Sequence, residues 1–532
     1  MRESVVARWR WPFALAVCLA AAGFASVANR LDVNWDLRNY HYYNAYAFLN
    51  GRLGWDVAPA QLQTYYNPLL DLPFYYLVQA IPSPRVIAYV MASTAGVAAF
   101  CLLRILAALF PKGVEDRALW IALAFIAGVT GSVGRSVIGS TMNEWPPAML
   151  MMLSLAILVP STAARGSPRA REVALASLLA GLAVGLKLTY GVFGAGFAIS
   201  LAAFGTPRER LRRALLGGVF LFAGFLATYG FWGATLYREF ANPFFPYFNE
   251  FFRSPWAEPV SLVDPNYGPR NALQAVFFPL YFARESRMVS EVSFRDWRLA
   301  TLLVLALVAL GRWLWSRRYG EARAPRDLAA SGHAWRLLGA FTLASYLAWL
   351  ALFGIYRYLV PLEMVSAPLI VACVLYIAPG RNARRALVII LVALLVGTTR
   401  APSWGRLDFR GAYLDVAVPD LAPRALVIMG YAEPMAYAIP FARPDARFVY
   451  PWNNFLRYDQ RNLMAERARA LIGEHRGAIY SMDIHNGDKL KELLDQYGLE
   501  RDARSCLPIR SYLDWSAIRL CRVFRKEDRH DR

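Results

Sequence analysis

The chain is poor in the residues and signatures that most soluble enzymes use. Five cysteines and five histidines are spread over 532 residues. There is no H-E-x-x-H, no cysteine cluster with metal spacing, no G-x-x-x-x-G-K-S/T phosphate loop and no G-x-S-x-G elbow. Internal periods of the solenoid and propeller kind are missing as well. Zinc-hydrolase, P-loop and serine-hydrolase chemistry therefore have no foothold, and the expected metal set is empty. Charge is also scarce, at 18% of residues.

What takes its place is apolar. Hydrophobic residues make up 57% of the chain, mean hydropathy is +0.31, and apolar runs of about 15–25 residues recur. A polytopic α-helical membrane protein is the class this composition defines. The net charge of +20 lies largely in short segments between those runs, the pattern of cytoplasmic loops facing anionic lipid rather than of nucleic-acid binding. Cys18, Cys101 and Cys373 lie inside apolar runs, as buried small hydrophobes do. Cys506 and Cys521 lie in the polar tail.

Topology follows from the basic loops. Arg2, Arg8 and Arg10 precede the apolar Trp11 to Ala28, which reads as a retained first helix rather than a cleaved signal and puts the N-terminus in the cytoplasm. Lys112 to Arg117, Arg165 to Arg171, Arg208 to Arg213, Arg312 to Arg336 and Arg381 to Arg385 are all basic and belong on the same side. An even number of crossings must separate them. The run from Ala118 to Pro160 divides around Thr141 to Pro147. Val173 to Phe204 divides around Lys187 to Gly191, and His333 to Ala378 around Gly354 to Arg357. Pro68 to Ile81 is too short and carries Asp71, Pro68 and Pro73, so it is an outer-surface helix. About eleven transmembrane helices result, in an inner (cytoplasmic) membrane, with the N-terminus inside and the C-terminus outside.

The expected fold is an all-α polytopic membrane domain over 1–400, with outer loops at 29–84 and 237–298, followed by a small extracytoplasmic α/β domain over 401–532. In the tail, apolar runs at Ala425 to Met429, Arg447 to Tyr450, Ala478 to Met482 and Ala517 to Phe524 read as strands. Leu463 to Glu474 and Asp488 to Tyr497 read as helices. With the tail outside, the compartment permits a Cys506–Cys521 disulfide, and the sequence leaves open whether it forms. The Asp483-Ile484-His485 cluster is too sparse for a metal site.

The same topology brings polar residues to the outer side. Trp35 to Pro73 sets Asp36, Arg38, His41, Asp56 and Asp71 among tyrosines, and Asn143-Glu144, Lys187 and Arg357 fall at outer helix junctions. Ionisable groups at membrane depth are costly and mark function. Asp36 is either a catalytic carboxylate or the N-cap of a helix from Leu37. Glu144 is either a second acid or a helix-start charge. Arg357 and Lys187 either hold phosphate or reach toward lipid headgroups. Glu363 is placed to pair with Arg357. The outer segment Tyr237 to Arg298, with its aromatic cluster from Asn242 to Pro255, reads as the lid or mouth of a lipid groove or as packing between helices.

Asp36 followed by tyrosines, Ala45-Tyr46, Leu49-Asn50-Gly51 and the Asn67-Pro68-Leu69 turn resembles the first outer loop of the GT-C superfamily of polyprenyl-phosphate-dependent glycosyltransferases. Asn143-Glu144-Trp145-Pro146-Pro147, Gly185 to Thr189 and the Tyr-Arg-Tyr-Leu-Val-Pro-Leu-Glu run at Tyr356 to Glu363 extend the resemblance. It implies an enzyme that moves a sugar from an isoprenoid-phosphate carrier to a lipid, glycan or protein acceptor. Asp36 and Glu144 are then the catalytic candidates. Arg38, Tyr40, His41, Asn143, Lys187, Arg357 and Glu363 are the substrate-binding ones. Many members carry Asp-Glu or Asp-x-Asp where this chain has Asp36-Leu37-Arg38, which leaves a divalent metal open. The competing reading is a lipid or solute transporter or flippase with an extracytoplasmic accessory domain; the inverted or parallel repeats such proteins show are not evident here.

Overall fold

The computed structural model describes residues 2–262, 264–319, 328, 331–430, 433–484, 488–513 and 518–527. The chain folds as two compact units, each assembled from three stretches of sequence. Residues 320–327, 329 and 330 of the basic Arg312 to Arg336 loop, and His485 of the sparse tail cluster, lie outside the described residues.

One unit, Met1–Asn29, Tyr89–Gly230 and Val263–Ser403, is a helix bundle. Among the described residues, seven helices are long and apolar enough to cross a membrane: Arg10–Ala28, Pro84–Leu109, Trp145–Arg165, Pro207–Phe240, Arg298–Tyr319, Gly332–Leu352 and Tyr356–Ile377. Helices also occupy the other expected intervals at Arg117–Val129, Ala170–Leu186, Gly191–Leu201 and Arg381–Thr398. The first three are short, and the last carries Arg381, Arg384 and Arg385. By length and composition seven of the described helices qualify as spans, and these four shorter or more basic helices fill the remaining expected intervals. Tyr356–Ile377 is the bundle's axis, with 72% of its most apolar window buried, against 17% for Pro207–Phe240.

Glycines set the tightest helix contact. A Cβ on Gly181 would fall 2.9 Å from the Phe225 nitrogen, and one on Gly224 would fall 2.8 Å from the Leu182 nitrogen. Helices Ala170–Leu186 and Pro207–Phe240 thus touch backbone to backbone, through the Gly181 and Gly185 pair at G-x-x-x-G spacing.

The basic loops meet at one end of the bundle. Arg381 contacts Glu115 at 2.8 Å and Asp116 at 3.0 Å. Arg213 donates to Ser167 at 3.1 Å, His333 Nδ1 lies 2.8 Å from the Gly166 carbonyl, and Ser331 donates to the Ala108 carbonyl at 3.2 Å. Sharing one end is what the even-crossing argument requires of them.

The other unit comprises Arg30–Ala88, Phe231–Leu262 and Trp404–Arg532. Strands β1 (Leu31–Asp32) and β2 (Arg406–Leu407) pair antiparallel. The tail builds a mixed sheet from β3 (Val416–Ala417), β4 (Leu426–Met429), β5 (Arg447–Val449), β6 (Ile479–Asp483), β7 (Leu499–Arg501), β8 (Leu507–Ser511) and β9 (Ile518–Arg525). Their order is β3-β8-β9-β6-β4-β5, with β7 also on β9. β4 runs parallel to β5 and β6 and is buried along its whole length, as an apolar central parallel strand should be. Helices Leu463–Glu474 and Asp488–Gln496 complete an α/β tail, and Cys506 and Cys521 are disulfide-bonded. Pro68–Leu70 is a 3₁₀ turn and Leu72–Ala80 a nine-residue helix, too short to cross a membrane.

Candidate functional site

In the bundle, the sequence sets Asn143 and Glu144 just before Pro146-Pro147, which start helix Trp145–Arg165 at positions where a missing N–H costs nothing. Asn143 adopts a left-handed backbone, φ 55°, which its short amide tolerates. The turn leaves Glu144 1% exposed. Lys187 follows the glycine-packed helix Ala170–Leu186 and has an extended backbone that ends it. Its Nζ lies 2.6 Å from Glu144 Oε1 and donates to the Met142 carbonyl at 3.2 Å. Arg357, on the 3₁₀ turn Tyr356–Leu359, brings Nε to 3.5 Å from the same oxygen.

One buried carboxylate thus gathers two cations that are 170 residues apart in sequence. Glu144 Oε2 is buried and has no hydrogen-bond partner among the described residues. Two tyrosines finish the site and escaped the sequence reading. The Tyr190 hydroxyl donates to the Glu144 carbonyl at 2.8 Å. The Tyr358 ring sits 5.7 Å from Lys187 Nζ and 5.9 Å from the Arg357 guanidinium carbon. Their signal was adjacency: each lies within three residues of a cation already singled out. Lys187 stands at the far end of helix Ala170–Leu186 from the basic loops, about 25 Å away at 1.5 Å per residue.

Glu363 is not the partner of Arg357. It accepts from Ser132 Oγ at 3.1 Å and from the Val133 and Gly134 nitrogens at 3.0 and 2.8 Å, so it caps the helical turn Ser132–Ser136. Beside it, Asp296 and Arg298 form a fully buried pair, Asp296 accepts from the Ser132 nitrogen, and Arg298 donates to the Ala127 carbonyl, Thr130 and Thr399. These groups fasten helix ends together.

In the other unit, Leu37–His41 is a π-helical turn running into helix Tyr42–Leu49. Such turns are rare and concentrate at functional sites. Asp36 is 8% exposed and makes no capping bond; the Leu37 nitrogen donates instead to Asn34 Oδ1 at 2.8 Å. The N-cap alternative for Asp36 therefore falls. Tyr40 packs on His41 at 4.0 Å between ring centroids, and His41 Nδ1 lies 2.6 Å from Asp71 Oδ1, both side chains 3% exposed. Arg38 is half-buried in the same turn.

Asp56 has a different task. Arg52 holds it through two nitrogens at 2.7 and 2.8 Å, Tyr43 donates to it at 2.9 Å and so does the Phe448 nitrogen. Burial pushes its carboxyl up from the usual range, and Arg52 pulls it back. Val57 then exchanges backbone bonds with Phe448 and Tyr450, covering the free edge of β5. Asp56 is thus a fastening between the outer stretch and the sheet. Among the described residues, no three His, Cys, Asp or Glu side chains gather to hold a metal ion.

Fold and site together define a multi-pass membrane protein with a buried acid–cation cluster at one end of its bundle and a small C-terminal sheet domain. No family model and no curated protein matches the chain. Among solved structures it is similar to the crystal structure of ArnT from Cupriavidus metallidurans bound to undecaprenyl phosphate, with 14% identity and a TM-score of 0.43. The match covers 73% of this chain and 64% of that one, so the chain spans less than two thirds of that protein's length. The likeness is one of overall fold and assigns no residue a role.

Proposed function

We propose that the chain is a membrane glycosyltransferase that moves a sugar from a polyprenyl-phosphate carrier to an acceptor hydroxyl on the outer face of the membrane. The observation that carries this is the Glu144, Lys187 and Arg357 cluster: one buried carboxylate brings two cations together at a bundle end. That is what a departing polyprenyl phosphate requires. Arg357 offers a fork to two phosphate oxygens and Lys187 a point charge. Glu144 then orients the cations rather than moving a proton.

Asp36 is the proposed base, buried on a π-helical turn that also carries Arg38, Tyr40 and His41. It takes the proton of the acceptor hydroxyl as that oxygen bonds to the sugar's C1, while the C1–O bond to phosphate breaks and its electrons leave with the polyprenyl phosphate. Asn143 and Tyr40 are proposed as substrate-binding residues, each within its own unit. The outer-face assignment draws support from the Cys506–Cys521 bond, since disulfides persist in oxidising compartments.

The test uses the full chain in proteoliposomes with a polyprenyl-phosphate-linked sugar, following polyprenyl-phosphate release. Asp36→Asn should lower kcat by about 10²–10⁴-fold, the range of general-base contributions. Glu144→Gln should raise the KM for the donor by loosening both cations. Full transfer in both variants, or solute flux without transfer, sinks the proposal.

A further inference from the structure

A cleft of about 790 Å³ opens in the second unit between segments 253–259 and 457–462. This volume lies in the range of small-molecule sites. Both walls are built in advance. Asn249, fully buried, donates to the Ser254, Ala257 and Glu258 carbonyls at 3.1, 2.9 and 3.2 Å and accepts from the Ser254 nitrogen at 2.9 Å. Arg469 fixes the opposite wall by donating to the Tyr458 and Gln460 carbonyls at 2.7 and 2.9 Å. The walls are joined at the base, where the Leu463 nitrogen donates to the Pro255 carbonyl and Asn462 donates to Glu258 Oε1.

Charge around this cleft is unequally satisfied. Asp459 is matched by Arg457 through two bonds at 3.1 and 3.0 Å, and Glu258 is engaged by Asn462. Among the described residues, the exposed guanidiniums of Arg253 and Arg461 pair with no carboxylate or carbonyl. Arg253 also holds a left-handed backbone, φ 51°, a region that favours glycine. Two uncommitted forks on rigid walls suit a phosphate group, and Glu258, Gln460 and Asn462 supply partners for hydroxyls.

We infer that this cleft binds a phosphate-bearing saccharide or headgroup, with Arg253 and Arg461 as the phosphate ligands. The cleft shares no residue with the proposed transfer chemistry and is read by binding alone, so its failure and that of the transfer reading are told apart.

The experiment titrates glucose 6-phosphate into the full chain in phosphatidylcholine nanodiscs by calorimetry, with glucose as the neutral control. Saturable binding that weakens with salt is expected. Arg253→Gly and Arg461→Gln should each weaken it about tenfold or more, as loss of a charge-assisted bond does. Arg253→Gly removes backbone strain, so its melting temperature should not fall, and lost binding cannot be put down to misfolding. A second arm adds phosphatidylglycerol to the nanodiscs. Competition identifies a lipid headgroup as the source and its absence a soluble sugar phosphate; both support the cleft. No saturable binding by the wild type, equal binding of glucose, or wild-type affinity in both variants overturns the inference.

Discussion

At the scale of single residues, the Trp35 to Pro73 stretch separates into groups with different work. In the sequence, Asp36, Asp56 and Asp71 look alike: acids among tyrosines near a membrane. Their partners decide. Asp71 meets a histidine 30 positions earlier, and Asp56 meets an arginine four positions before it and a backbone nitrogen 392 positions later. The i, i+4 spacing of Arg52 and Asp56 was legible, but no local pattern says that Phe448 approaches. Asp56→Asn should therefore act on stability. It leaves Arg52, 6% exposed in its side chain, without its counter-charge though still bonded to the Pro444 and Ala446 carbonyls, and breaking a buried pair typically costs about 3–5 kcal/mol. A lower melting temperature by tryptophan fluorescence is the expected result. Asp445→Asn, which breaks an exposed pair with Arg443, should shift it little. Equal shifts would show that Asp56 fastens nothing.

At the scale of elements, much was readable. Strands β4, β5, β6 and β9 and both tail helices fall within a few residues of the expected intervals, because these buried strands are short apolar runs and helix Leu463–Glu474 starts at Asn462, whose side chain caps the Ala465 nitrogen at 3.0 Å, whereas β3, β7 and β8 were not foreseen. The bundle's helices likewise occupy the intervals between basic loops. What sequence alone left hidden is how closely they pack. Gly181 and Gly185 lie in an apolar run where small residues look like filler, and only the facing backbone at Leu221 to Tyr229 gives them a purpose. That contact bears on the site, since Lys187 stands two residues past Gly185. Gly181→Val should push helices Ala170–Leu186 and Pro207–Phe240 apart, displace Lys187 from Glu144 and lower both thermal stability and transfer. Gly218→Val, where a Cβ meets nothing within 4 Å, should spare both. The comparison is a melting curve and a transfer assay on the two variants, and equal behaviour would remove the glycine contact from the account.

At the scale of the whole molecule, the disulfide gives a direct handle on the side of the membrane on which the tail folds. Cys506 and Cys521 are 15 residues apart in sequence and bonded, while Cys18 and Cys101 are buried among helices. Closing a loop of that length stabilises by about 3 kcal/mol in the chain-entropy account. It joins the segment before β8 to the centre of β9, which borders β6 along five residue pairs. In a background of Cys18→Ala, Cys101→Ala and Cys373→Ala, intact cells treated with a membrane-impermeant maleimide should show no labelling. After a membrane-impermeant reductant, both remaining thiols should label and the tail should become more sensitive to added protease. Labelling that needs permeabilised cells would put the tail in the cytoplasm, reverse the even-crossing argument and withdraw the outer-face assignment, while leaving the cluster of Glu144, Lys187 and Arg357 to be explained on the opposite side.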